Sequence, residues 1–297
     1  MLQVQNCLVT PEESGQKLLS YLKRKMGQSF PESGLMRLIR TGQVRVNKKR
    51  CRPFHRLRAR DMVRLPPYKP ADRPAPCLDQ SRDQTVDIVH RTRDFLLVNK
   101  PGNLPVHSGT GHDHSLTLRV HALYPQASFQ PTPVHRLDRG TSGLILFALS
   151  YSWLRQMQKI WAHPSVRKIY LALVQGRWPW QELEIKDRLI RDHHGVRTNP
   201  QGRPAISRVS LMNQNQDRSL LMVSISTGRT HQIRVHLAEK GYPVIGDLKY
   251  GGAQSRIMHL HSFRLIWPGH DFRLMPSWLN EPGNDRPDSG PALLNSP

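Results

Sequence analysis

Residues 135–143 read His-Arg-Leu-Asp-Arg-Gly-Thr-Ser-Gly and run straight into Leu144-Ile145-Leu146-Phe147-Ala148. One carboxylate, Asp138, stands between two guanidinium side chains, Arg136 and Arg139. Flanking cations favour an ionised carboxylate and lower its pKa. The apolar run that follows reads as a β-strand. An ionised carboxylate on a loop beside a rigid strand can act as a nucleophile. The competing reading is a solvated cluster of surface ion pairs, which contributes little to stability.

The whole chain sets the context for that loop. Its 297 residues suffice for one large domain and a small one, and a hydrophobic content of 37% supports a modest core. The formal net charge is +22. The pI lies near 10.8. Self-repulsion on that scale suits a polyanionic partner. A membrane surface is the competing polyanion. No run of eighteen apolar residues occurs, no lipidation signal is present, and Met1-Leu2-Gln3-Val4-Gln5-Asn6 lacks the charged start and apolar core of a signal peptide. No membrane partner and a cytoplasmic location are therefore expected. Cys7, Cys51 and Cys77 are far apart and form no Cys-x-x-Cys pair, which fits a reducing compartment without disulfides or structural zinc. His112-Asp113-His114 and His193-His194 lack metal-ligand spacing and read as loop histidines. With no phosphate-cradling P-loop and no Gly-x-Gly-x-x-Gly, no cofactor and no metal are expected.

The positive charge is concentrated at the front. Residues 1–70 hold sixteen Lys and Arg against four Asp and Glu. Leu18, Leu19 and Leu22 predict a helix over 15–26. Pro31, the stripe Leu35, Leu38 and Ile39, and the stop residue Gly42 predict a second over 31–41. Gly34 inside it costs about 1 kcal/mol relative to Ala. Residues 43–47 and 61–65 read as strands, with a turn at Asn47-Lys48-Lys49. This region resembles the S4 RNA-binding domain, carried by the run Leu-Ile-Arg-Thr-Gly-Gln-Val-Arg-Val-Asn at 38–47 and by Asp61-Met62-Val63. Arg37, Arg40, Arg45, Lys48, Lys49 and Arg50 are expected to line one surface and contact phosphates. Such contacts give affinity and salt dependence but little sequence choice. The bland alternative is a set of ordinary solvated charges. Pro66, Pro67, Pro70, Pro74 and Pro76 then mark a semi-extended linker. The expected organisation is a small domain over 1–68, a linker over 69–86, a large domain over 87–279, and a disordered tail over 280–297 rich in Pro, Gly, Asn and Asp.

In the large domain, 95–99 reads as a strand leading into the turn-rich loop Lys100-Pro101-Gly102-Asn103-Leu104-Pro105-Val106-His107. Ser152 is a candidate cap for a helix whose Trp153, Leu154, Met157, Ile160 and Trp161 form a core stripe, not a platform for bases. The run Arg167-Lys168-Ile169-Tyr170-Leu171-Ala172-Leu173-Val174-Gln175-Gly176 is a strand, on which Tyr170 alone would pass for a packing residue. A strand over 220–226 precedes Thr227-Gly228-Arg229-Thr230-His231-Gln232-Ile233-Arg234, where Thr230 is a candidate N-cap and Gly241 the stop. A helix N-terminus placed there favours phosphate or carboxylate groups.

The Asp138 block closely resembles the catalytic block of the RluA family of pseudouridine synthases. The Asn99-Lys100-Pro101 loop, the Lys-x-Tyr-x-Ala pattern around Tyr170, the Arg234 block and Gly246-Asp247-Leu248-Lys249-Tyr250-Gly251 follow in the family's order. The likeness spans roughly residues 15–268. The turn Asn47-Lys48-Lys49-Arg50 with Pro66-Pro67 looks most like the RluC-type branch, which acts on large-subunit ribosomal RNA. Leu260-His261-Ser262 and Trp267-Pro268 depart from the family's usual Leu-His-Ala and His-Pro endings.

The resemblance implies an α+β fold: a mixed, predominantly antiparallel sheet forming the pseudouridine synthase core, preceded by the S4-type helix-helix-hairpin unit. It implies isomerisation of uridine to pseudouridine in RNA, at single-stranded or loop positions where a base leaves its stack most cheaply. It assigns Asp138 as nucleophile or base, attacking C6, attacking C1′ or removing the C2′ proton. It has Arg136 fill the space left by the flipped base, Tyr170 pack on the uracil with a hydroxyl able to serve in proton transfer, and Arg234 pair with Asp138. Three alternatives remain at this level: the same chemistry on transfer RNA, a non-catalytic RNA-binding or ribosome-assembly factor, and a ribonuclease using Asp138 with His135 or His231. No self-complementary apolar segment stands out, so a monomer is expected.

Overall fold

Strands that are apolar on both faces must be covered on both sides, and this requirement organises most of the chain. The computed structural model describes residues 3–27, 30–68, 85–108, 114–193 and 195–280. The greater part of the Pro-rich stretch and nearly all of the C-terminal tail lie outside these residues, as do His112, Asp113 and His194.

The first elements are β1 (Gln5–Leu8), a 3-10 turn (Pro11–Glu13), α1 (Leu18–Met26), α2 (Glu32–Arg40), β2 (Arg45–Val46) and β3 (Met62–Leu65). The three strands form one antiparallel sheet in the order β1-β3-β2. Leu18, Leu22, Leu35, Ile39, Val44 and Val63 make a core of their own beneath it. β1 has no counterpart in the sequence reading: its four residues are mostly exposed and carry no alternation. α1 starts three residues later than the periodicity predicts, because Gly15 has φ +87° and Lys17 is extended. At the tip of the hairpin Asn47 and Lys48 both have positive φ, and Val46 and Lys49 exchange backbone hydrogen bonds of 3.0 and 2.9 Å. That is a two-residue type I′ turn at the end of β2; it closes on an isolated bridge at Lys49, and residues 50–61 carry the chain on to β3.

Next come β4 (Asp87–Arg91), β5 (Phe95–Lys100), α3 (Leu116–Ala122), β6 (Thr132–Pro133), β7 (Ser142–Ala148), α4 (Tyr151–Ile160), β8 (Arg167–Gln175), β9 (Glu182–Asp192), β10 (Gly195–Thr198), β11 (Arg203–Gln214), β12 (Arg218–Ile225), α5 (Gln232–Glu239), β13 (Leu260–Trp267) and β14 (His270–Arg273). All belong to one 11-stranded sheet or pack on it, in the order β10-β9-β11-β12-β8-β13-β7-β5-β4, with β14 added to β13 and β6 to β7. Every pairing is antiparallel except β7 with β13. The fold is α+β with a mostly antiparallel sheet, as the sequence implies.

Alternation along β8 and β12 splits the core between the faces. Tyr170, Ala172, Leu221, Val223 and Ile225 pack with Ile233 and Leu237 of α5 and with Leu116 and Val120 of α3. On the other face, α4 covers Phe95, Leu146 and Leu265, while Trp278 and Leu279 cover Ile169, Leu171 and Phe263. The stripe on α4 is core, with Trp153 stacked on Phe95 at 5.2 Å. Its cap is Ser150, not Ser152: the Ser150 hydroxyl accepts from the Trp153 amide at 3.3 Å. The helix starts one residue before Ser152, which leaves that serine inside the first turn.

The front unit packs against the large sheet's periphery. The Arg24 side chain donates to Thr132 Oγ1 at 3.1 Å, and its guanidinium lies 4.5 Å from the Phe129 ring centre. The hydroxyls of Thr10 and Ser128 meet at 3.0 Å.

Candidate active site

The loop before β7 returns over the face that carries Tyr170, and three sequence-distant segments meet there. Arg136, Asp138 and Thr141 come from that loop, Tyr170 from β8, Ile225 from the end of β12, and His231 and Arg234 from the start of α5. Two devices fix the loop. At Gly143, φ is +102° and a Cβ would stand 2.5 Å from the Ser262 carbonyl, so only glycine lets β7 and β13 close up behind Asp138. Lys100 is fully buried, and its ammonium donates to the carbonyls of Pro101, Leu104 and Arg139 at 2.8, 2.7 and 3.0 Å. Burial lowers its pKa to about 7, against the opposing pull of Asp138.

Asp138 is one-sixth exposed. Its Oδ2 lies 3.4 Å from Arg234 Nη1 and 3.9 Å from His231 Nε2. Among the described residues these are the basic side chains within ion-pair range, and His231 counts as a cation only when protonated. The arginines beside it in sequence do not reach it: Arg139 turns away to donate to the Asn103 carbonyl at 3.1 Å, and Arg136 lies on the pocket wall. Adjacent residues on an irregular loop point in different directions, so sequence neighbourhood is a poor guide to ion pairing.

Arg234 is held mainly by Asp247, which the sequence reading quoted within a family-like run but gave no role. Its Nε and Nη2 donate to the two oxygens of Asp247 at 2.6 and 2.7 Å, a bidentate fork buried in the protein. Burial alone would lower the Arg234 pKa, but the Asp247 hydrogen bonds and charge, with Asp138, raise it. The Tyr250 ring lies 4.9 Å from the guanidinium. The available signal was Gly246: with φ +85° and a Cβ that would strike the Ile257 carbonyl at 2.0 Å, it fixes the turn that aims Asp247 inward.

Tyr170 is buried, and burial first, then the charge of Asp138, push its pKa up, so the hydroxyl holds its proton. The cap of α5 is His231, not Thr230. His231 adopts the left-handed conformation, φ 54° and ψ 18°, and makes no side-chain capping bond. Gln232 instead accepts from the Arg229 amide at 3.1 Å and from the Thr227 hydroxyl at 2.7 Å. His135 sits outside the site: it is half-buried, stacks on Trp161 at 4.6 Å, and accepts from the Leu146 amide at 3.1 Å. Burial lowers its pKa to about 3, so it is a neutral packing group. The divergent Leu260-His261-Ser262 segment is an internal tie, His261 bonding Ser142 Oγ at 2.8 Å and the Leu274 carbonyl at 2.9 Å.

In the front unit all six basic residues singled out are exposed. Arg37, Arg40 and Arg50 share a cleft with Arg52, which the sequence reading did not include. Arg45 bonds the Gly42 carbonyl at 3.1 Å, and Lys48 and Lys49 sit at the hairpin tip. Among the described residues no group of three or more His, Cys, Asp or Glu side chains is placed to hold a metal ion, and no helix is long and apolar enough to cross a membrane.

An acidic side chain, an aromatic hydroxyl and a clamped arginine meet in one pocket on a mostly antiparallel sheet. Residues 94–239 match the family described as RNA pseudouridylate synthase, and the chain belongs to that family. It is 35% identical over 256 residues to the ribosomal large subunit pseudouridine synthase C of Vibrio parahaemolyticus, covering 84% of this chain and 81% of that one. The protein of the same name from Escherichia coli K12 is 35% identical over 252 residues, covering 82% and 78%. Among solved structures, human RNA pseudouridylate synthase domain containing 1 superposes with a TM-score of 0.57 at 27% identity, over 68% of this chain and 87% of that one.

Proposed function

We propose that this RNA pseudouridine synthase acts on uridines of large-subunit ribosomal RNA. The substrate assignment rests on the relatives that carry that name at about 35% identity over most of both chains. A net charge of +22 fits a polyanionic substrate. The observation that carries the chemistry is the meeting of Asp138, Tyr170 and Arg234 in one pocket from three distant segments.

In this reading Asp138 opens the N1–C1′ bond as nucleophile or base, with Arg234 steadying its charge. Tyr170 packs against the uracil. Arg136, on the pocket wall, occupies the gap left in the RNA stack. The base rotates and C5 bonds to C1′. No redox change and no energy input are needed. The front unit, read as an S4-type domain over residues 1–68, grips phosphates through Arg37, Arg40, Arg45, Lys48, Lys49 and Arg50. Location in the cytoplasm and action as a monomer complete the proposal.

The test is Asp138→Asn, assayed by chemical mapping of pseudouridine on a large-subunit ribosomal RNA transcript. Loss of product with retained RNA binding is expected. Full activity in the variant would overturn the assignment. Product on transfer RNA alone would refute the substrate class, and strand cleavage would favour a hydrolase.

A further inference from the structure

Formation of pseudouridine has a proton balance that Asp138 and Arg234 do not complete. Once C5 has bonded to C1′, C5 still carries its hydrogen. The C5–H electron pair must become the C5=C6 double bond; the pair displaced from C6 moves from C6=N1 onto N1, which takes a proton, or, where Asp138 has added to C6, leaves with the carboxylate. A proton acceptor is therefore needed at C5, whichever way the glycosidic bond was opened.

The pocket offers few candidates. Arg136 and Arg234 are donors only. Tyr170 is buried with its pKa raised, which makes its neutral hydroxyl a weak acceptor, and Asp138 is engaged in the glycosidic step itself and held by Arg234. His231 remains. Its Nδ1 lies 2.7 Å from the Tyr250 hydroxyl, and that hydroxyl donates to the Val196 carbonyl at 3.2 Å. A phenol has one proton. With that proton on the Val196 carbonyl, the short contact is satisfied only if His231 Nδ1–H donates to the Tyr250 oxygen. Neutral His231 then has a lone pair on Nε2, the nitrogen 3.9 Å from Asp138 Oδ2 at the pocket.

We propose that His231 is a further catalytic residue, whose Nε2 takes the proton leaving C5 of the target base after C5 has bonded to C1′. The imidazolium so formed lies beside the Asp138 carboxylate and passes its proton to solvent at the pocket mouth, while N1 takes one in return. The proposal rests on the synthase activity assigned above. Its backbone supports it: His231 is a non-glycine residue held at φ 54°, a strained conformation that persists where surrounding structure fixes a functional group. The groups facing the ring are Asp138, Asp247, Tyr250, Arg234 and Lys249. Burial first, with Arg234 and Lys249 against the two aspartates, lowers the His231 pKa and keeps the acceptor free at neutral pH.

The experiment uses large-subunit ribosomal RNA transcripts labelled at every uridine. Release of tritium from C5 reports proton removal. A 5-fluorouridine transcript, which has no C5 proton, reports bond rearrangement alone by mass spectrometry. His231→Asn and His231→Gly both tolerate the left-handed backbone. Tritium release is expected to fall about 10²- to 10⁴-fold in both, with a primary isotope effect on 5-deuterouridine that the wild type lacks. Consumption of the 5-fluorouridine transcript is expected to stay within threefold, and added imidazole to restore release in His231→Gly. Parallel loss on both transcripts, or no loss on either, overturns the proposal. A wild type that releases no tritium from any RNA sinks the underlying activity, and the proposal with it.

Discussion

Replacing Asp247 by Asn tests whether the clamp on Arg234, and not Arg234 alone, makes the site. The change preserves shape and removes one charge from a fork whose bonds are 2.6 and 2.7 Å. Breaking a buried ion pair by removing one partner costs about 3–5 kcal/mol. Two features reduce that here. The Asn oxygen still accepts one bond, and Arg234 keeps Asp138 at 3.4 Å. The expected cost is therefore about 2–3 kcal/mol. At about 2–4 °C per kcal/mol for a chain of this size, melting should fall by about 4–12 °C. Freed from Asp247, Arg234 swings onto Asp138 and ties up the carboxylate, so single-turnover tritium release should fall about 10- to 100-fold. Calorimetry and that rate are the two assays. The double variant Asp247→Asn/Arg234→Gln should lose less stability than the sum of the singles, because the second change removes the orphaned cation. Strict additivity, or melting within about 1 °C of wild type, would refute the clamp.

Lys100 supplies a pH test. Its folded pKa of about 7 lies below the ordinary 10.5, so between those values the unfolded chain binds more protons and stability rises with pH. From pH 7.5 to 9.5 the wild type should gain up to about 3 kcal/mol relative to Lys100→Met in urea unfolding; a constant difference would refute it. Arg24→Ala removes a cation–π contact and a hydrogen bond, about 1–2 kcal/mol together. It should widen the distance between the front unit and the sheet, read by energy transfer between dyes; an unchanged distance would show that other contacts hold the units. Tyr170→Ala should raise KM by the stacking of one base, about 1–3 kcal/mol, while Tyr170→Phe keeps KM. Equal losses in the two would shift the role from ring to hydroxyl.

Much of this protein is legible in one dimension because the signals are local. The apolar runs at 144–148 and 169–174 read as strands because they are short and bounded by turn residues. The stripes on α1, α2 and α4, the stop at Gly42 and the basic surplus of the first seventy residues are equally local. Asp138, Tyr170 and Arg234 stand out because each sits in its own compact block. What tertiary structure alone decided is who touches whom. Arg136 and Arg139 adjoin Asp138 in sequence but do not pair with it, while Arg234 reaches it from ninety-six residues away. Asp247 became Arg234's main partner through a turn that only Gly246 permits. His231 Nδ1 meets the Tyr250 hydroxyl, and that hydroxyl the Val196 carbonyl, across nineteen and fifty-four residues of sequence. Hydrogen bonds and ion pairs act over a few ångströms in a direction set by the packed backbone, and no spacing along the chain encodes that direction.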